Sequence, residues 1–172
     1  MEDALEQNKV EIAKKLLKYN IDHLSLVCMY GKLELVNIIL DNNINIINEY
    51  DKIQLTPLIQ SCIENHYEIV EFLIEKGANV DLKGRDGMNA LMIASHRGYL
   101  DIVKLLIYKK SDVNLKNNAG YTSLMFALEN NNQEMIYELL KNGVDYNDLS
   151  KKQKNECEKI LMEHKLIKGG KH

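Results

Sequence analysis

Three cysteines and five histidines are the side chains of this 172-residue chain best suited to nucleophilic, acid–base or metal chemistry. That chemistry needs them grouped: a nucleophile beside a base, or closely spaced ligands around an ion. Cys28, Cys62 and Cys157 are scattered, and no His-Glu-x-x-His helix or Gly-rich phosphate loop occurs. Glu64 with His66, and His96 with Arg97, are adjacent polar residues without a third group to make a catalytic set; both pairs read as solvated surface. No catalytic residue, metal site or cofactor is expected. Lys52, Lys83, Arg85, Arg97 and Lys116 suggest a second chemistry, contact with phosphates. Asp51, Glu64, Asp86 and Glu129 are interspersed with them, no aromatic ladder accompanies them, and the formal net charge is -3. A nucleic-acid partner is therefore not expected.

The elements that carry these residues repeat. Thr56-Pro57-Leu58-Ile59, Asn89-Ala90-Leu91-Met92 and Thr122-Ser123-Leu124-Met125 start 33 positions apart. Val70, Val103 and Ile136 correspond, as do Leu73, Leu106 and Leu139. A fixed period of this length marks a solenoid, whose units bury their apolar faces only against neighbours. Cys28 and Cys62 share a small-residue position on a first helix, and Cys157 takes a leucine-like position. All three read as buried thiols of a reducing, cytoplasmic compartment, with no disulfide. No apolar run approaches a bilayer span, and Met1-Glu2-Asp3 does not open a signal peptide, so no membrane partner is expected.

The units resemble ankyrin repeats. Gly84-Arg85-Asp86-Gly87-Met88-Asn89-Ala90-Leu91 follows the start of that family's pattern. Ala94, Gly98, Ile102, Val103, Leu105, Leu106 and Ile107 follow its middle, and Glu75-Lys76-Gly77-Ala78-Asn79-Val80-Asp81 its end. The resemblance implies an all-α solenoid of stacked helix pairs joined by β-turn fingers. It divides residues 1–167 into one repeat domain. This comprises a partial first unit (1–20), four further units (21–48, 49–81, 82–114 and 115–147) and a capping helix (148–167), which Ser150 and Gln153 open as a capping box. Residues 168–172 read as a flexible tail. Departures from the pattern are informative. Ile59, Met92 and Met125 replace the family histidine. Gln54 stands where a finger glycine belongs, and Lys110 where Gly77 and Gly143 end a second helix. Asn43 occupies that same site, where asparagine tolerates a left-handed conformation.

The resemblance also implies the function: a non-catalytic module, expected to be a monomer, that captures a protein partner on its concave side. The family's contact positions carry over to Met29, Tyr30, Lys52, Ile53, Leu55, Glu64, Arg85, Asp86, Met88, His96, Arg97, Asn118, Tyr121, Glu129 and Asn130. Lys83, Lys116, Ile63, Ala119 and Tyr50 lie beside them. The alternative is a regulatory or inhibitory subunit that uses the same surface to block a catalytic partner. Richness in Asn, Lys, Ile and Tyr resembles proteins of AT-rich genomes, whose ankyrin proteins are often effectors aimed at a host cytosol.

Overall fold

The computed structural model describes residues 23–169, so the expected first unit (1–20) lies outside the described residues. Four helix pairs follow one another: α1 (His23–Met29) with α2 (Leu33–Asn42), α3 (Pro57–Ile63) with α4 (Tyr67–Glu75), α5 (Ala90–Arg97) with α6 (Leu100–Tyr108), and α7 (Ser123–Glu129) with α8 (Gln133–Lys141). A closing helix, α9, runs Lys151–Gly169. No strand occurs among the described residues. Each of α3, α5 and α7 begins just after the first residue of a repeated run, and that residue caps it. The side chains of Thr56, Asn89 and Thr122 accept the N–H of Ile59 (3.3 Å), Met92 (2.9 Å) and Met125 (3.4 Å), satisfying an otherwise orphaned donor. Pro57 sits in the first turn of α3, where its missing N–H costs nothing.

The pairs stack in two layers. First helices α1, α3, α5 and α7 pack in sequence, and second helices α2, α4, α6 and α8 do the same behind them. Val36, Val70, Val103 and Ile136 are fully buried at equivalent positions, as are Leu73, Leu106 and Leu139. The apolar replacements of the family histidine enter this core: Ile59 and Met92 are buried and Met125 is half-buried. α9 packs on α8 through Cys157 and Ile160. Ser150 and Gln153 do form the capping box: Gln153 N donates to Ser150 Oγ (3.4 Å), and Gln153 Oε1 accepts from Ser150 N (3.2 Å).

Periodic polar ties join the units along the finger side. Tyr50 Oη donates to Lys83 O (3.0 Å), Lys83 Nζ to Lys116 O (2.8 Å), and Lys116 Nζ to Asp148 Oδ2 (2.6 Å). A second row runs beneath: Asn48, Asp81 and Asn114 accept the backbone N–H of Asn79, Asp112 and Asp145. These ties link the units through polar groups although Ile59, Met92 and Met125 contribute none.

Two expectations fail locally. Asn43 is extended (φ -152), not left-handed; its side chain instead accepts Asn45 N–H and starts a 3-10 turn, Ile44–Asn48. The extra residue in this exit lets the chain leave α2 without the left-handed stop. The closing helix also continues to Gly169, so Lys168 and Gly169 belong to it rather than to a tail. Gln54 (φ 63) and Lys110 (φ 68) do adopt the glycine conformation. Lys110→Gly should therefore stabilise the array by roughly 0.5–1 kcal/mol, read as a raised urea midpoint. An unchanged or lowered midpoint would show that φ strain at this helix end is negligible.

Candidate functional site

Stacking places equivalent positions of the first helices in columns on the side shared with the fingers. One column is Leu26, Gln60, Ile93 and Phe126; the next is Met29, Ile63, His96 and Glu129; a third is Tyr30, Glu64, Arg97 and Asn130. Each finger adds a residue at its base: Leu55, Met88 or Tyr121. The result is a long open surface, apolar along its floor and charged at its edges.

Its first half is greasy. A groove of about 240 Å³ is lined by Leu26, Met29 and Ile53 together with the polar Ser25, Asp51, Lys52 and Gln60. Ile53 is 58% exposed and Tyr30 is 63% exposed, large apolar areas that stacking leaves in water. Leu55 is half-buried; Glu64 is exposed and accepts from Gln60 Nε2 at 3.4 Å.

The second half is aromatic and charged. Phe126 is gripped from two sides: the Tyr121 ring lies 5.4 Å away, and the His96 ring meets it edge-on at 5.2 Å. Met88 is half-buried, with Asn117 Nδ2 donating to its sulfur at 3.3 Å. Arg85 and Asp86 are exposed at the finger tip, 3.7 Å apart. Arg97 and Glu129 are exposed at the ends of α5 and α7. Asn118 is exposed, but its N–H donates to Asp86 O (3.0 Å), which joins fingers. Asn130 has an exposed edge too, yet its amide donates to Ser95 O (3.1 Å) and His96 O (2.8 Å), capping α5 from the next unit.

Several residues do other work than their types suggested. Lys83, Lys116 and Tyr50 carry the finger-to-finger ties, so the apparent basic stripe is partly consumed in structure. His66, read as solvated surface, donates from Nε2 to Met29 O (3.0 Å) and joins two units. Leu26, Ile93 and Phe126 were missed as floor residues. Their signal was available, because they share the register of Gln60, but apolar residues on a first helix read as core.

No reactive cluster emerges among the described residues. No group of His, Cys, Asp and Glu there has metal-holding geometry. All three cysteines are buried and free. Burial pushes the Cys28 thiol up to about 12, against a smaller opposing hydrogen bond with Ser61. Burial raises Cys62 as well, and Cys157 to about 11 with help from neighbouring Glu156. Thiolates are therefore suppressed in the folded protein. Iodoacetamide at pH 8 should modify the native protein slowly and all three thiols once urea unfolds it. A thiol alkylated at the free-cysteine rate without denaturant would contradict the packing around it.

The described residues contain no helix long and apolar enough to cross a membrane. A family model described as ankyrin repeats (3 copies) matches residues 1–84 and 77–150. Curated relatives agree over shorter stretches. Alpha-latrocrustotoxin-Lt1a of Latrodectus tredecimguttatus is 34% identical over 55% of this chain, and the match covers 7% of the toxin. Ankyrin repeat family A protein 2 of Mus musculus is 38% identical over 32% of the chain and is covered for 18% of its length. Notch-regulated ankyrin repeat-containing protein of Xenopus tropicalis is 38% identical over 31% of the chain and is covered for 46%. The chain thus spans less than half of each of these proteins.

Proposed function

Because the chain belongs to the ankyrin repeat family, whose members are generally protein–protein interaction modules, we propose that it binds a protein partner on its concave face without performing chemistry. The observation that supports this is a row of apolar and aromatic side chains on the finger side, Leu26, Met29 and Ile53 in one groove and Met88 and Tyr121 on the later fingers, with Arg85, Arg97, Glu64 and Glu129 exposed around them. Large apolar and aromatic side chains ringed by Arg supply most binding hot spots. The second helices spend their leucines and valines on stacking, which leaves Tyr67 and Tyr108 as their exposed large side chains. Monomeric behaviour and an intracellular setting fit this reading, which the suppressed, buried thiols favour over a disulfide-forming compartment.

The test uses a partner recovered by pull-down and identified by mass spectrometry. Met88→Ala combined with Tyr121→Ala should weaken binding by about 2 kcal/mol or more, while shifting the melting temperature little. Undiminished affinity in that double variant, with loss of affinity from changes on α4, α6 or α8, would move the site to the outer helices. The regulatory reading separates at the same step: an inhibitory subunit lowers the activity of its co-purified partner, and a scaffold leaves it unchanged.

A further inference from the structure

The outer layer holds a concavity that the concave-face reading does not use. A groove of about 780 Å³ runs between α4 and α6. Tyr67, Glu71 and Glu75 line one wall at helical spacing; Asp101, Lys104, Leu105 and Tyr108 line the other, with Lys109 at the end. Leu105 is buried and forms the floor. Tyr108 is 77% exposed and Tyr67 38%, so both rings stand in water at opposite ends.

The charges in this groove do not balance. Three carboxylates face two ammonium groups. Lys104, level with Glu71 in the repeat register, instead gives its Nζ to Glu134 of α8 at 2.7 Å. Lys109 Nζ lies 5.9 Å from the centre of its neighbour's ring, Tyr108. None of Glu71, Glu75 and Asp101 is held in an ion pair among the described residues, although six other pairs form there. Carboxylates outside any direct ion pair, over an apolar floor and with a tyrosine at each end, complement one kind of guest. It carries guanidinium or ammonium groups on an aliphatic stem. Such a side chain lays its methylenes on Leu105 and sets its charge among the carboxylates, with the Tyr67 ring at one end and the Tyr108 ring, beside Lys109, at the other.

We propose that the α4–α6 groove is a second docking surface, for a basic segment of a partner protein with Arg or Lys alternating with apolar residues. It is independent of the concave face, so both surfaces can be occupied at once, and this would let the chain bridge two partners.

The probe is a fluorescein-labelled octapeptide of alternating arginine and leucine, titrated with the whole chain and followed by anisotropy. The chain's net negative charge attracts any cationic peptide, so the comparison is between two variants of equal charge. Glu71→Gln, Glu75→Gln and Asp101→Asn together should weaken binding at least about fivefold. The control, Glu49→Gln with Glu158→Gln and Glu163→Gln, should leave it near the unmodified value. Tyr108→Ala alters a ring that is mostly in water and should weaken binding about threefold without changing the melting temperature. Three results would overturn the proposal: no binding at low salt, equal losses in the two charge variants, or a Tyr108→Ala variant that binds like the unmodified chain. Met88→Ala with Tyr121→Ala should leave the peptide's affinity intact, which keeps this surface distinguishable from the concave one.

Discussion

Leu106→Ala should cost the array about 2–5 kcal/mol, among the largest effects available to a single truncation here. Leu106 is fully buried on α6, which packs between α4 and α8. Its backbone oxygen also accepts the N–H of Ser111 at 3.0 Å, closing the turn after the helix. The removed methyl groups lie wholly inside the stacked core. A solenoid cannot easily collapse onto such a hole, because moving one unit inward opens gaps against the next. The loss should appear in a urea titration as a lower midpoint. A broadened or two-step transition would mean that the helix pairs from α5 onward have come apart from the rest. A cost below about 1 kcal/mol would show that the layer relaxes around the gap and that the stacking interface is looser than its burial implies.

Gly87→Ala should cost about 2–4 kcal/mol, far more than the same change one repeat later. Gly87 and Gly120 occupy the same finger position, and both have positive φ, 73 and 83. That conformation alone costs an alanine about 1 kcal/mol. At Gly120 a methyl group meets nothing within 4 Å. At Gly87 it would run into Asn118 Oδ1 and sit 2.8 Å from the Asn118 backbone N. That backbone cannot retreat cheaply, since its N–H is bonded to Asp86 O at 3.0 Å. Gly87→Ala must therefore push the finger that carries Asn118 away from the one that carries Gly87. The comparison has a functional edge, because Met88 and Tyr121 are carried by these fingers. Gly87→Ala should weaken capture of a concave-face partner, and Gly120→Ala should reduce stability by about 1 kcal/mol with little effect on binding. Equal melting temperatures for the two variants would refute the close packing of finger on finger.

Much of the architecture was legible in the residues. Period is readable from spacing alone, and Thr56, Asn89 and Thr122, which open the repeated runs, are the residues that cap α3, α5 and α7. The left-handed positions of Gln54 and Lys110 were readable from where glycine stands in sibling units. Asn43 was misread because one extra residue in its exit changes the register, and a turn depends on its whole loop rather than on one side chain.

The candidate surface was legible as a set of positions and illegible as a set of roles. Repetition alone determined which residues share a column, because stacking identical units maps a spacing of 33 onto neighbouring places in space. Only the tertiary structure decided what each side chain spends itself on. Lys83 reaches a carbonyl of the next finger, Lys116 the Asp148 carboxylate, Asn130 caps the first helix of the preceding unit, and Lys104 pairs with Glu134 rather than Glu71. The reason is geometric. A long polar side chain chooses among acceptors about 30 residues away in sequence and within 3 Å in space. That choice depends on how far apart packing holds the units, which no single unit encodes.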